Sequence, residues 1–224
     1  MSGFSEIWNV LDWSILTDAL ISIIPALFCI TFHELSHGFV AYRLGDNTAK
    51  SKGRLTLNPI KHIDVLGLIC MAFMGFGWAK PVPVNMNNFK NPKSGMAIVA
   101  LAGPVSNIVL AVVVLIISFF FVPATDTGLI WNIWLILQRF TILSIGLAIF
   151  NIIPIPPLDG SKVLFSFLRE DTYYNLMRYE RYGMILLILL IWSGVLGTPL
   201  SQATYFIYTH LYDAIAVIFR LLPV

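Results

Sequence analysis

The segment Thr31-Phe32-His33-Glu34-Leu35-Ser36-His37 carries two histidines four positions apart, with a carboxylate next to the first. On an α-helix, positions i and i+4 share a face, so His33 and His37 offer their imidazoles to a common point. Glu34 projects about 100° around the helix from His33. This is the HExxH arrangement, in which two imidazoles ligate zinc and the carboxylate takes a proton from water. In a soluble protein the ordinary alternative is a solvated helix face. Here the stretch from Leu16 to Arg43 is predominantly apolar. At membrane depth an unpartnered glutamate and two histidines cost on the order of several kcal/mol, so a metal-binding role accounts for them better.

Two imidazoles leave zinc one protein ligand short, since catalytic sites supply three. His62, His210 and Asp159 are the remaining candidates. Asp159 has the most suitable context, in Asn151-Ile152-Ile153-Pro154-Ile155-Pro156-Pro157-Leu158-Asp159-Gly160. Its three prolines stop a helix after Asn151 and leave a lone carboxylate on non-helical chain. The plainer role for Asp159 is the N-cap of a helix over 160–169. Arg43 marks one end of the first apolar helix, and ten residues at ~1.5 Å put His33 roughly 15 Å below that boundary. A broken chain entering from that end can reach it. Cys29 and Cys70 both lie in apolar stretches and read as buried small hydrophobes, not as a disulfide or a metal pair.

The elements that must position these groups are membrane helices. Of 224 residues, 58% are hydrophobic and 12% charged, against about 25% charged in ordinary soluble domains. A soluble globule of this length cannot hide so much apolar surface, so lipid must cover it. A net charge of +2 without a basic, aromatic-interleaved stripe sets nucleic acid aside as a partner. Five stretches, 16–43, 95–122, 130–152, 182–198 and 203–222, approach the ~20 helical residues needed to cross the hydrocarbon. A sixth, 63–79, is shorter and glycine-containing. The expected fold is thus an all-α polytopic bundle of about five or six transmembrane helices with a short re-entrant or β-like insertion. Extended segments are expected at Arg54–Asn58 and Pro81–Asn85, the second suited to an edge by its prolines. Trp8, Trp13, Trp131, Trp134 and Trp192 lie near expected helix ends, as interface anchors do.

Basic residues fall between the first helix and residue 95 (Arg43, Lys50, Lys52, Arg54, Lys61, Lys80, Lys90, Lys93) and again at Lys162, Arg169, Arg178 and Arg181. The positive-inside rule then places the N-terminus outside and both basic loops in the cytoplasm. If 45–62 and 80–94 share one side, 63–79 cannot be a simple crossing and must dip in and return. Without Lys or Arg before Arg43 there is no basic leader, so the first apolar segment is expected to remain in the mature protein. No polar connection approaches domain length. One membrane-embedded domain over 1–224 is expected, with a core at about 16–165 and accessory helices at about 182–222.

Taken together, Phe32–His37 and Asn151–Gly160 resemble the site-2 protease family of intramembrane zinc metalloproteases. Its motifs are a membrane-embedded HExxH and a later Asn-x-x-Pro-x-x-x-Leu-Asp-Gly. Ala102-Gly103-Pro104-Val105-Ser106-Asn107 is similar to the Gly-Pro core helix between them. The resemblance covers roughly residues 16–165. It implies one Zn2+ per chain held by His33, His37 and Asp159, with Glu34 as general base and Asn151 holding substrate backbone. It also implies a transmembrane protein substrate in a lipid bilayer, cleaved as in regulated intramembrane proteolysis. Ser36, where the family often has Gly, and Ser161-Lys162, where Gly-Arg is common, depart from the pattern without touching a ligand. With no PDZ or CBS region, the chain looks like a minimal prokaryotic branch. Two other readings stand beside it. A multi-spanning protease of prenylated peptides would take a later Glu as ligand, but Glu170, Asp171 and Glu180 fall in a basic loop. A non-catalytic metal-binding membrane protein, a transporter or pseudoprotease, would need no carboxylate at Glu34.

Overall fold

The computed structural model describes residues 13–67 and 78–221. Its regular structure is helical: α1 Trp13–Arg43, the single turn α2 Thr48–Ser51, α3 Pro92–Ser118, α4 Leu129–Ile152, α5 Asp159–Ser166, α6 Glu170–Arg178, α7 Glu180–Trp192 and α8 Gly197–Leu221. The core is the packing of α1, α3 and α4 on one another, with α5 against α3 and α8 against α4.

The central helix α3 shows why. It starts with Pro92 in its first turn, where a missing N–H does no harm. Val99, Ala100, Gly103, Asn107, Leu110, Ala111 and Val114 are buried, at helical spacing, while Ile98, Leu101, Val105, Val109 and Val113 are exposed. Both faces are apolar, but the inward one carries Ala100, Gly103 and Ala111, small residues that let helix backbones approach closely. The outward face is left for lipid.

Three helices are long and apolar enough to cross a membrane: Ile23–Arg43 within α1, Pro92–Phe121 and Leu129–Ile152. α7 and α8 qualify only as a pair, bent by 84°. Among the described residues that makes three candidate spans, or four if the bent pair counts as one, against the five or six expected. The difference has a physical cause. The 13 residues of α7 span about 20 Å, short of the ~30 Å hydrocarbon core. The chain then turns at Gly194, whose φ of +72° suits glycine.

The segment 63–79 has its middle, 68–77 and with it Cys70, outside the described residues, but its two ends meet. Ile63 and Ala79 form an antiparallel bridge, and Lys80 N–H donates to His62 O at 2.9 Å. Gly67 packs so closely that a Cβ there would lie 2.1 Å from Trp78 O. The described ends of the segment thus lie side by side. The β-like character is limited to this one bridge among the described residues, and neither Arg54–Asn58 nor Pro81–Asn85 forms a strand.

A buried carboxylate ties these loops to the helix ends. Asp46, fully buried just past α1, accepts from Thr48 N–H at 3.0 Å, Asn85 N–H at 2.7 Å and Asn88 Nδ2 at 2.7 Å. Burial alone would raise its pKa. The hydrogen bonds from Thr48, Asn85 and Asn88 outweigh that and hold it below the ordinary 3.8. Arg54 Nη2 donates to Lys80 O at 2.7 Å, and Lys93 Nζ donates to Leu168 O, joining the start of α3 to the end of α5. The basic loops therefore gather at one end of the bundle.

Candidate metal centre

His33 and His37 lie in the uninterrupted helical run of α1, so their rings meet edge to face one turn apart, centroids 4.6 Å from each other and nearly perpendicular. α4 ends at Ile152, and after the proline-rich turn α5 begins at Asp159. Asp159 is not an N-cap. Leu158 holds that position, without a side-chain cap bond, and the carboxylate turns inward to the histidines instead. Asp159 Oδ2 lies 3.1 Å from His33 Nε2 and 3.0 Å from His37 Nε2, and all three side chains are buried. The reach depends on Gly160, where a Cβ would fall 1.9 Å from Ile152 O. Only glycine lets α5 fold back so tightly on the end of α4.

His33, His37 and Asp159 are a group that could hold a metal ion, with ligand atoms all within 4.8 Å of one another. Zinc bonds of ~2.0–2.2 Å in a tetrahedron imply ligand separations of roughly 3.3–3.5 Å. The 3.0 and 3.1 Å distances lie within a few tenths of that. The second contacts fit as well. His37 Nδ1 is 2.7 Å from Val99 O. A carbonyl can only accept, so Nδ1 carries the proton and the Nε2 lone pair faces the ion position. Lys162 Nζ is 3.6 Å from the other oxygen, Asp159 Oδ1. The residues present fit zinc.

Glu34 borders the same cleft of about 290 Å3, together with Val82, Asn151 and Lys162. Its carboxylate accepts the Val82 N–H at 2.7 Å. Pro81 and Pro83 have no N–H, and Asn85 N–H goes to Asp46. That segment therefore has few donors left for an added strand. Asn151 lines the cleft while its Nδ2 donates to Leu147 O at 2.9 Å in its own helix. An adjoining cavity of about 490 Å3 shares His33, Glu34 and Asn151 and runs between α1 and α4 to Leu187, Ile191 and Leu200 of the bent pair.

The other sequence candidates stand apart. His62 is buried, its Nε2 3.0 Å from Thr56 O, and His210 is exposed on α8, bonded to Phe206 O. Neither joins the cluster. Glu180 borders the cleft without entering the ligand group. Cys29 is a buried free thiol. Ser36 Oγ donates to Phe32 O, absorbed within the helix.

The sequence places Gly103 and Asn107 in a segment similar to a Gly-Pro core helix but gives neither a role at the site. Both touch the site. A Cβ at Gly103 would lie 2.5 Å from His33 Cε1 and Nε2 and 2.6 Å from His37 Cε1. Asn107, fully buried, brings its carboxamide to 3.2 Å from His33 Nδ1. The signal available was a lone amide in an apolar helix, one turn beyond a glycine.

Residues 124–192, which include Asp159, match the model of peptidase family M50. The "Putative zinc metalloprotease YwhC" of Bacillus subtilis is 40% identical over 181 residues, covering 75% of this chain and 78% of that one. The "Putative zinc metalloprotease Rip2" of Mycolicibacterium smegmatis is 29% identical over 81% of this chain and 70% of its own. Among solved structures, "Site-2 Protease from Methanocaldococcus jannaschii" is 22% identical with a TM-score of 0.44, covering 99% of this chain and 85% of that one. The chain therefore belongs to peptidase family M50, the site-2 protease family of zinc metalloproteases.

Proposed function

We propose that this chain is an intramembrane metalloendopeptidase that hydrolyses a peptide bond within or beside a transmembrane segment of a membrane-protein substrate. The observation that carries the reading is the convergence of His33, His37 and Asp159 beside a cleft that also holds Glu34. His33, His37 and Asp159 would hold one zinc ion per chain. Zinc in such a site supplies Lewis acidity, polarising a carbonyl and acidifying water to a pKa of about 7.

The chain's own groups do the rest. Glu34, its carboxylate oriented by Val82 N–H, takes the proton given up by the attacking water and returns it to the leaving amine. A helical substrate hides its carbonyls in i→i−4 hydrogen bonds, so it must unwind before attack. Asn151, whose amide can donate and accept, holds the unwound backbone beside the metal position. The basic residues gathered at the site's end of the bundle support a cytoplasm-facing site with the N-terminus outside. The single-domain reading over 1–224 is supported by the direct packing of α5 and α8 on the α1, α3 and α4 core.

The test is cleavage of a single-span reporter in liposomes by wild type, Glu34→Gln, Asp159→Asn and chelator-treated protein. All three perturbations should abolish cleavage. Normal cleavage by Glu34→Gln would remove the general-base role. Full zinc content and activity in Asp159→Asn would move the third ligand elsewhere.

A further inference from the structure

Asn107 sits mid-way along α3, and its backbone carbonyl accepts Ser144 Oγ of α4 at 2.8 Å, which fixes that turn against its neighbour. Its Nδ2 faces His33 Nδ1 at 3.2 Å, while its Oδ1 is buried without a hydrogen-bond partner. The two histidines thus differ in what stands behind them. His37 Nδ1 faces the Val99 carbonyl, which can only accept. His33 Nδ1 faces a carboxamide, which can present either a donor or an acceptor.

A neutral imidazole carries one proton. With Asn107 Nδ2 donating, His33 Nδ1 must accept and the proton sits on Nε2, where it bonds Asp159 Oδ2 at 3.1 Å. That tautomer has no lone pair for a metal. Ligation through Nε2 requires the proton on Nδ1, and that proton then needs an acceptor in a buried, apolar surrounding. A half-turn of the Asn107 amide brings Oδ1 to the same place, and the two amide ends are so alike in size that packing does not oppose it.

We infer that Asn107 is a positioning residue for the metal centre: its Oδ1 accepts the Nδ1 proton of His33 and so holds Nε2 in the ligating tautomer. This rests on zinc being held by His33, His37 and Asp159. α3 then orients both histidines from behind, through Val99 and Asn107, two helical turns apart. Partners of this kind change metal affinity by about 10–100-fold when removed.

The experiment is a zinc competition titration of the full detergent-solubilised chain against a chromophoric chelator, with the visible spectrum of the cobalt-substituted protein as a second readout. Asn107→Leu, similar in size but unable to accept, should bind zinc about 10–100-fold more weakly and change the cobalt bands. Asn107→Asp, an acceptor alone, should stay within about threefold of wild type and keep the cobalt spectrum, as carboxylate–histidine–zinc pairs do. The inference is overturned if Asn107→Leu keeps wild-type affinity, or if Asn107→Asp loses affinity in the way expected of Asn107→Leu. The aspartate variant decides the matter alone should the leucine variant fail to fold. If wild type binds no zinc, or Asp159→Ala binds it as wild type does, the metal reading itself fails instead.

Discussion

Replacing Gly103 with alanine is a sharp test of how the bundle builds its site. The new Cβ would stand 2.5 Å from His33 Cε1 and Nε2 and 2.6 Å from His37 Cε1. Non-bonded carbons rest at roughly 3.5–4.0 Å, so both rings must retreat by about 1 Å. Metal sites tolerate ligand shifts of about 0.2 Å, and a 1 Å misplacement of reacting groups costs about 100-fold in rate. Stability should change far less. Overpacking costs about 1–3 kcal/mol, and alanine recovers about 1 kcal/mol through its better helix propensity. The variant should therefore fold, bind zinc weakly and cleave a liposome-embedded reporter at least ~100-fold more slowly. Gly146→Ala is the control: its Cβ would meet Thr204 Oγ1 at 3.7 Å, an ordinary contact. Its activity should match wild type. Gly103→Ala protein with full zinc content and wild-type turnover would refute the close-approach argument.

Gly160→Ala should be harsher, because the Cβ would meet Ile152 backbone at 1.9 Å and no side chain can move aside. Thermal unfolding should show a loss at or above the ~3 kcal/mol upper range for overpacking, with zinc binding lost as α5 lifts away. Asp46→Ala should destabilise the protein by about 3 kcal/mol at neutral pH, since hydrogen bonds to a charged group are worth about 1.5–3 kcal/mol each and several donors are orphaned together. Because Asp46 titrates below 3.8 in the fold, its contribution is present above that value and fades as pH falls through the folded pKa. The wild-type advantage over Asp46→Ala in chemical denaturation should shrink below about pH 4.

Much of the site is written in local pattern. His33, Glu34 and His37 are legible because helical periodicity alone puts i and i+4 together. Asp159 is legible because prolines break the helix before it and the flanking chain offers no other carboxylate in such a context. Gly103 and Asn107 were not, because their roles exist only once α3 packs on α1, 74 residues away in the case of Asn107 and His33. Asp46 was missed for the same reason: its partners Asn85 and Asn88 arrive from the far side of the 63–79 loop. The helices were legible from their apolar runs, but the way they cross was not. Hydropathy reads 182–198 and 203–222 as two spans, whereas Tyr182–Trp192 and Gly197–Arg220 meet at 84° across a break that contains Gly194 with its positive φ.

Zinc K-edge X-ray absorption on the purified chain, beside its Asp159→Ala variant, addresses the central claim most directly. The expected result is one zinc per chain with two imidazole nitrogens and oxygen ligands at about 2.0–2.2 Å and no sulfur, and loss of ordered zinc in the variant. A wild-type spectrum without imidazole scattering, or one that Asp159→Ala leaves unchanged, would contradict it.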